Sequence, residues 1–85
     1  MLYEFYGKEC PHCIAMHPLI EKLEKEFSLV VEKKEVWHNK ENSAELQTLD
    51  GGSKCGGVPF FWNSDTETYL CGSVVYEELK KWAGK

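Results

Sequence analysis

Cys10-Pro11-His12-Cys13 puts two thiols two residues apart, where a short apolar stretch gives way to helical spacing. Sulfurs so placed can close a small disulfide, and the free N–H groups and dipole of a helix start favour a thiolate there. Thiolate attack on a substrate disulfide leaves a mixed disulfide on the more exposed sulfur, and a second thiol within reach releases it. Cys10 precedes the helix and is expected to be the more exposed of the two. Cys13 extends an apolar stripe that continues through Met16, Ile20, Leu23 and Phe27. Between them, an imidazole N–H of His12 beside Cys10 would stabilise the thiolate and make the disulfide more oxidising.

A metal site is the competing chemistry. Cys10, Cys13 and His17, completed by Cys55 or Cys71, could supply four ligands to zinc or an iron–sulfur cluster. No second C-x-x-C follows at ligand spacing, and His17 reads more simply as a polar residue beside a kinked helix, so no metal is expected. Cys55 and Cys71 could bridge if their Cα atoms lie within about 7 Å. Packing as separate small apolar residues is the stronger expectation for them.

The elements that must position these groups follow from periodicity. Leu2 to Tyr6 is an aromatic-rich stretch with strand propensity, ended by Gly7. A helix begins at Pro11, whose missing N–H has no intrahelical partner at that position anyway. Its stripe is Met16, Leu19, Ile20, Leu23 and Phe27. Pro18 inside it removes a hydrogen bond and predicts a kink. Leu29 to Trp37 reads as a second strand, and Lys40 to Leu49 as a weak helix held by Ala44, Leu46 and Leu49 and stopped by Gly51-Gly52. After a glycine-rich loop through Gly57, Phe60 to Trp62 and Glu67 to Cys71 flank a polar turn and predict a hairpin. Ser73 is expected to cap a last helix with Val75, Leu79 and Trp82 in the core. The order is βαβαββα. A right-handed crossover pairs the first two strands in parallel and the hairpin adds the last two, giving an α/β fold with a four-stranded mixed sheet and helices on both faces.

Composition narrows the function classes. A chain of 85 residues, 42% hydrophobic, builds one modest core, read as a single domain over 1–85. With 14 acidic against 10 basic residues, net charge −4, it has no basic stripe for a phosphate backbone, so nucleic acid is not an expected partner. No apolar run approaches the roughly 20 residues of a membrane span, and the first residues lack a signal-peptide pattern. A cytoplasmic monomer is the default. Four cysteines could suggest a secreted disulfide scaffold, but such domains are loop-rich, whereas this chain is periodic throughout.

On three landmarks the chain resembles the thioredoxin superfamily in its minimal, glutaredoxin-sized form. They are Cys10 with Cys13, Pro18 eight residues after Cys10, and Val58-Pro59, with Gly72 beginning the return to the last helix. The resemblance covers nearly the whole chain. It implies a thiol–disulfide oxidoreductase in which Cys10 attacks and Cys13 resolves, Pro11 and His12 tune the couple, and no cofactor is tightly bound. It implies a cis Pro59 that leaves the Val58 backbone free to pair with an extended substrate beside Cys10, and it places Gly72 at the groove rim. Tyr6, Val58, Phe60 and Trp62 are expected to supply an apolar rim for a disulfide-containing protein or peptide. Pro-His is also the spacer of the periplasmic oxidase family DsbA.

Glu4 stands six residues before Cys10, where thioredoxins carry a buried Asp. An unpaired carboxylate in a central strand is costly. The match implies proton transfer toward Cys13, with Lys33 as partner from the next strand. The electron donor, a reductase or glutathione, divides the family. Glutathione users carry an acidic pair after the hairpin and a Lys three residues before the first cysteine. Here Cys71-Gly72-Ser73-Val74 follows the hairpin and Lys8 lies two residues before Cys10, departures that weaken the case for glutathione as co-substrate.

Overall fold

The computed structural model describes residues 1–50 and 55–85. Its elements run β1 (Leu2–Tyr6), α1 (Pro11–Phe27), β2 (Val31–Glu35), α2 (Lys40–Asp50), β3 (Phe60–Asn63), β4 (Thr68–Cys71) and α3 (Tyr76–Trp82). The strands form one mixed sheet in the order β2-β1-β3-β4. β1 is central, parallel to β2 and antiparallel to β3, with Glu4 opposite Lys33 on one side and Phe61 on the other. This is the expected βαβαββα layout.

Alternation along β1 divides the core into two layers. Leu2 and Glu4 face α1 and α3, where Leu2, Met16, Ile20, Leu23, Val31, Phe61, Leu79 and Trp82 pack together. On the opposite face Phe5, Phe60 and Val36 pack beneath Leu46 and Leu49 of α2. At roughly 1.5–3 kcal/mol for each large apolar side chain buried, the α1 and α3 layer supplies most of the driving force. The second layer is thinner because Ala44, expected to help hold α2, is exposed.

Other boundaries moved for local reasons. β2 ends at Glu35 rather than Trp37 because the Glu35 carboxylate accepts from the backbone N–H groups of Lys8, Trp37 and His38, turning the chain. Those three donors hold the carboxyl below its usual range despite some desolvation. The turn lays the Trp37 indole on Gly7, where a Cβ would fall 2.2 Å from the ring. α3 starts at Tyr76 with Val75 as its N-cap and no side-chain cap bond, so Ser73 does not cap it and Val75 is 65% exposed rather than core. β3 runs one residue past Trp62, and its last residue, Asn63, is buried: its amide donates to Trp82 O at 2.7 Å and its carbonyl accepts from the N–H groups of Asp65 and Thr66. The Gly51-Gly52 stop lies outside the described residues. Among the described residues no helix is long and apolar enough to cross a membrane.

Candidate functional site

Cys10 is the N-cap of α1, in extended backbone geometry with Pro11 in the first turn. Its Sγ accepts from the Cys13 N–H at 3.3 Å, so an unpaired donor of the helix start points at this sulfur. The Cys10 S–H faces the Val58 carbonyl at 4.0 Å. Both thiols are free and both are buried, Cys10 at 4% exposure and Cys13 at 0%. Cys10 is the more accessible, as expected, but only slightly. Burial first, and then the hydrogen bond with Cys10, push the Cys13 thiol well above its ordinary range, so Cys13 stays protonated at neutral pH. The exposed His12 points elsewhere: its Nδ1 lies 3.4 Å from Ser73 Oγ and makes no hydrogen bond to Cys10.

The loop ahead of β3 forms the other wall. The Val58–Pro59 peptide is cis. Among the described residues the Val58 N–H makes no backbone hydrogen bond. Pro59 O accepts from the Gly72 N–H at 2.9 Å, and Gly72 sits at φ 71°, a left-handed conformation that suits glycine. The same pairing settles the remaining cysteines. β3 and β4 set Phe60 opposite Cys71, which brings Cys71 beside the chain entering β3. Cys55 meets it there in a disulfide, with Cα atoms 5.4 Å apart. The expectation of separate thiols is therefore wrong, because the hairpin register was not readable from the sequence. The bridge ties the Val58 loop to the end of β4 across a separation of 16 residues. Loss of a bridge closing a loop of that size costs about 3 kcal/mol. A Cys55→Ala/Cys71→Ala variant is expected to melt roughly 10–20 °C below the parent, checked by thermal unfolding followed by circular dichroism.

Glu4 is fully buried, as its place in a central strand requires. Burial raises its carboxyl to about 7, with Lys33 opposing and Glu24 reinforcing the shift. Lys33 is not its direct partner. The Lys33 ammonium bonds both Glu24 carboxylate oxygens, at 3.1 and 3.3 Å, and the Val31 carbonyl, because Glu24 on α1 overhangs that face of β2. His17 Nε2 instead lies 3.7 Å from Glu4 Oε2. The Tyr6 ring, expected at the rim, packs edge-on against His17 with centroids 5.5 Å apart. Phe60, by contrast, is fully buried in the α2 layer and so is not at the rim, while the partly buried Trp62 and Val58 pack against the same layer.

What sequence reasoning missed is the Glu4–His17 contact. The available signal was helical: His17 follows Cys13 by four residues and so shares its face. Among the described residues, no group of three or more His, Cys, Asp or Glu side chains converges as a metal site would require. No family model and no curated protein matches this chain.

Proposed function

We propose that this protein is a thiol–disulfide oxidoreductase of the thioredoxin superfamily type, working through Cys10 and Cys13. The observation that carries the reading is the Cys10 sulfur at the N-cap of α1, receiving the Cys13 N–H and facing the Val58 carbonyl. A sulfur held there can carry the charge of a nucleophile. Cys10 attacks a substrate disulfide; the substrate S–S bond breaks and one substrate thiolate leaves. Cys13 then gives up its proton and attacks Cys10, forming the Cys10–Cys13 disulfide and releasing the second substrate thiolate. The substrate is reduced and the dithiol oxidised. A disulfide-containing protein or peptide is the substrate class, docked as an extended segment against the Val58 backbone, and a reductase or glutathione resupplies electrons.

The metal-binding alternative would draw a ligand from Cys55 or Cys71, and both sulfurs are engaged with each other. For the cytoplasmic setting that we propose from the sequence, a lasting bridge of this kind is unusual outside hyperthermophiles.

The test is equilibration in graded thiol–disulfide buffers, with Cys10 and Cys13 alkylated and counted by mass. A single two-electron transition of this pair is expected. A midpoint near −270 mV marks a reductant and one near −120 mV an oxidant, on the scale set by thioredoxin and DsbA. Two sulfurs that stay reduced at every poise, or that copurify with stoichiometric zinc, would overturn the reading.

A further inference from the structure

Both carboxylate oxygens of Glu4 and the Nε2 of His17 are buried without a hydrogen-bond partner. Orphaned polar atoms of this kind need an explanation. These three lie together: Nε2 is 3.7 Å from Oε2, the Glu4 side chain is fully enclosed, and the His17 side chain is 35% exposed. The pair thus runs from the interior under α1 to solvent. At its inner end the charge of Glu4 acts on the resolving thiol, without a hydrogen bond between them, and His17 stands one helical turn beyond Cys13.

We propose that His17 is the proton port of the dithiol site, carrying protons between the enclosed Glu4 carboxylate and water through its imidazole. The proposal rests on the oxidoreductase reading and adds a residue to it. When Cys13 attacks the mixed disulfide, its S–H proton passes to the Glu4 carboxylate as the Cys10–Cys13 bond forms and the Cys10–substrate bond breaks. The departing substrate thiolate takes its proton from solvent. The Glu4 carboxyl then protonates His17 Nε2, and the resulting imidazolium releases a proton to water, which restores both groups. At 3.7 Å the two atoms stand beyond a hydrogen bond, and proton transfer requires a side-chain movement that brings them to about 2.9 Å. The Tyr6 ring against one side of His17 limits where the imidazole can turn.

The surroundings leave this route the simplest one. From α1, Glu4 faces His17 and the charge of Glu24, and its own charge reaches Cys13; from β2 it feels Lys33, which is bonded to Glu24; from β3, its register partner is Phe61. On α3, Lys80 pairs with Glu77. A carboxyl that titrates near neutrality is suited to trading protons with an imidazole at working pH.

The test compares parent, His17→Gln and His17→Ala in the resolution of a preformed mixed disulfide on Cys10, followed from pH 5 to 9. Resolution is expected to slow roughly 10- to 100-fold in both variants near pH 7. Added imidazole is expected to restore much of the His17→Ala rate, and the infrared carboxyl band of Glu4 to titrate at a shifted pH in both. Rates and profiles equal to the parent's, or a loss that imidazole leaves untouched, would overturn the port while the oxidoreductase reading stands. A parent protein that forms no mixed disulfide at Cys10 would overturn both.

Discussion

Cys10→Ser is expected to reduce disulfide exchange to background, whereas Cys13→Ser is expected to accumulate a stable mixed disulfide with substrate. The asymmetry follows from where the sulfurs sit. Cys10 occupies the N-cap of α1 and receives a backbone N–H, and a serine hydroxyl there stays protonated and does not attack sulfur. Cys13 is fully buried and held as a thiol, so in the proposed reaction it is expected to act only on a sulfur already delivered to Cys10. Without it, release depends on an outside thiol reaching a position only 4% exposed. Non-reducing gels and intact mass of the two variants, mixed with a disulfide-containing peptide, check the prediction. Trapping by Cys10→Ser alone would reverse the assignment of roles, and equal trapping by both would overturn the asymmetry.

Glu4 predicts a stability that falls as pH rises. Its carboxyl titrates near 4.5 when unfolded and about 7 in the native state, because burial disfavours the charge. Below 4.5 both states hold the proton and the native protein has its full stability. Between the two values the unfolded chain releases the proton while the native state keeps it, which favours unfolding. Above 7 both are ionised and the deficit is complete, about 3 kcal/mol for a shift of this size. Glu4→Gln removes the titration. Against the parent, its relative stability is expected to improve by about 3 kcal/mol between pH 4.5 and pH 8, even if a buried amide lowers its stability at every pH by about 1–3 kcal/mol. Urea unfolding at the two pH values, with unchanged m-values, measures the difference. A parallel pH dependence in parent and variant would place the native titration of Glu4 elsewhere.

The parts of this fold that periodicity controls were legible in the sequence. β1 and α1 have the bounds that the aromatic run and the apolar stripe predict, because burial of Met16, Ile20 and Leu23 sets the face of α1 directly. The cis Val58–Pro59 bond is what the resemblance to the thioredoxin superfamily implied, and the burial of Glu4 followed from the centrality of β1. Contacts that depend on register or on long side chains were not legible. Cys55 meets Cys71 only because β3 and β4 pair Phe60 with Cys71. Lys33 lies opposite Glu4 in register, yet its four-carbon stem reaches Glu24. His12 sits in the C-x-x-C motif, but its exposed ring meets Ser73, 61 residues away in sequence.

The four-stranded order has a consequence for self-association. An outermost strand offers unpaired backbone groups to any extended chain, and this sheet has two such borders, β2 and β4. β2 reads Val-Glu-Lys-Lys-Glu, and its lysines are drawn to opposite faces, Lys33 to Glu24 on α1 and Lys34 to Glu45 on α2. β4 is four residues long and ends at the half-cystine Cys71. A fifth strand would have to desolvate a charged border or settle for a very short one. The sheet is thereby guarded against growing by recruitment of its own copies, the first step toward fibrous aggregation.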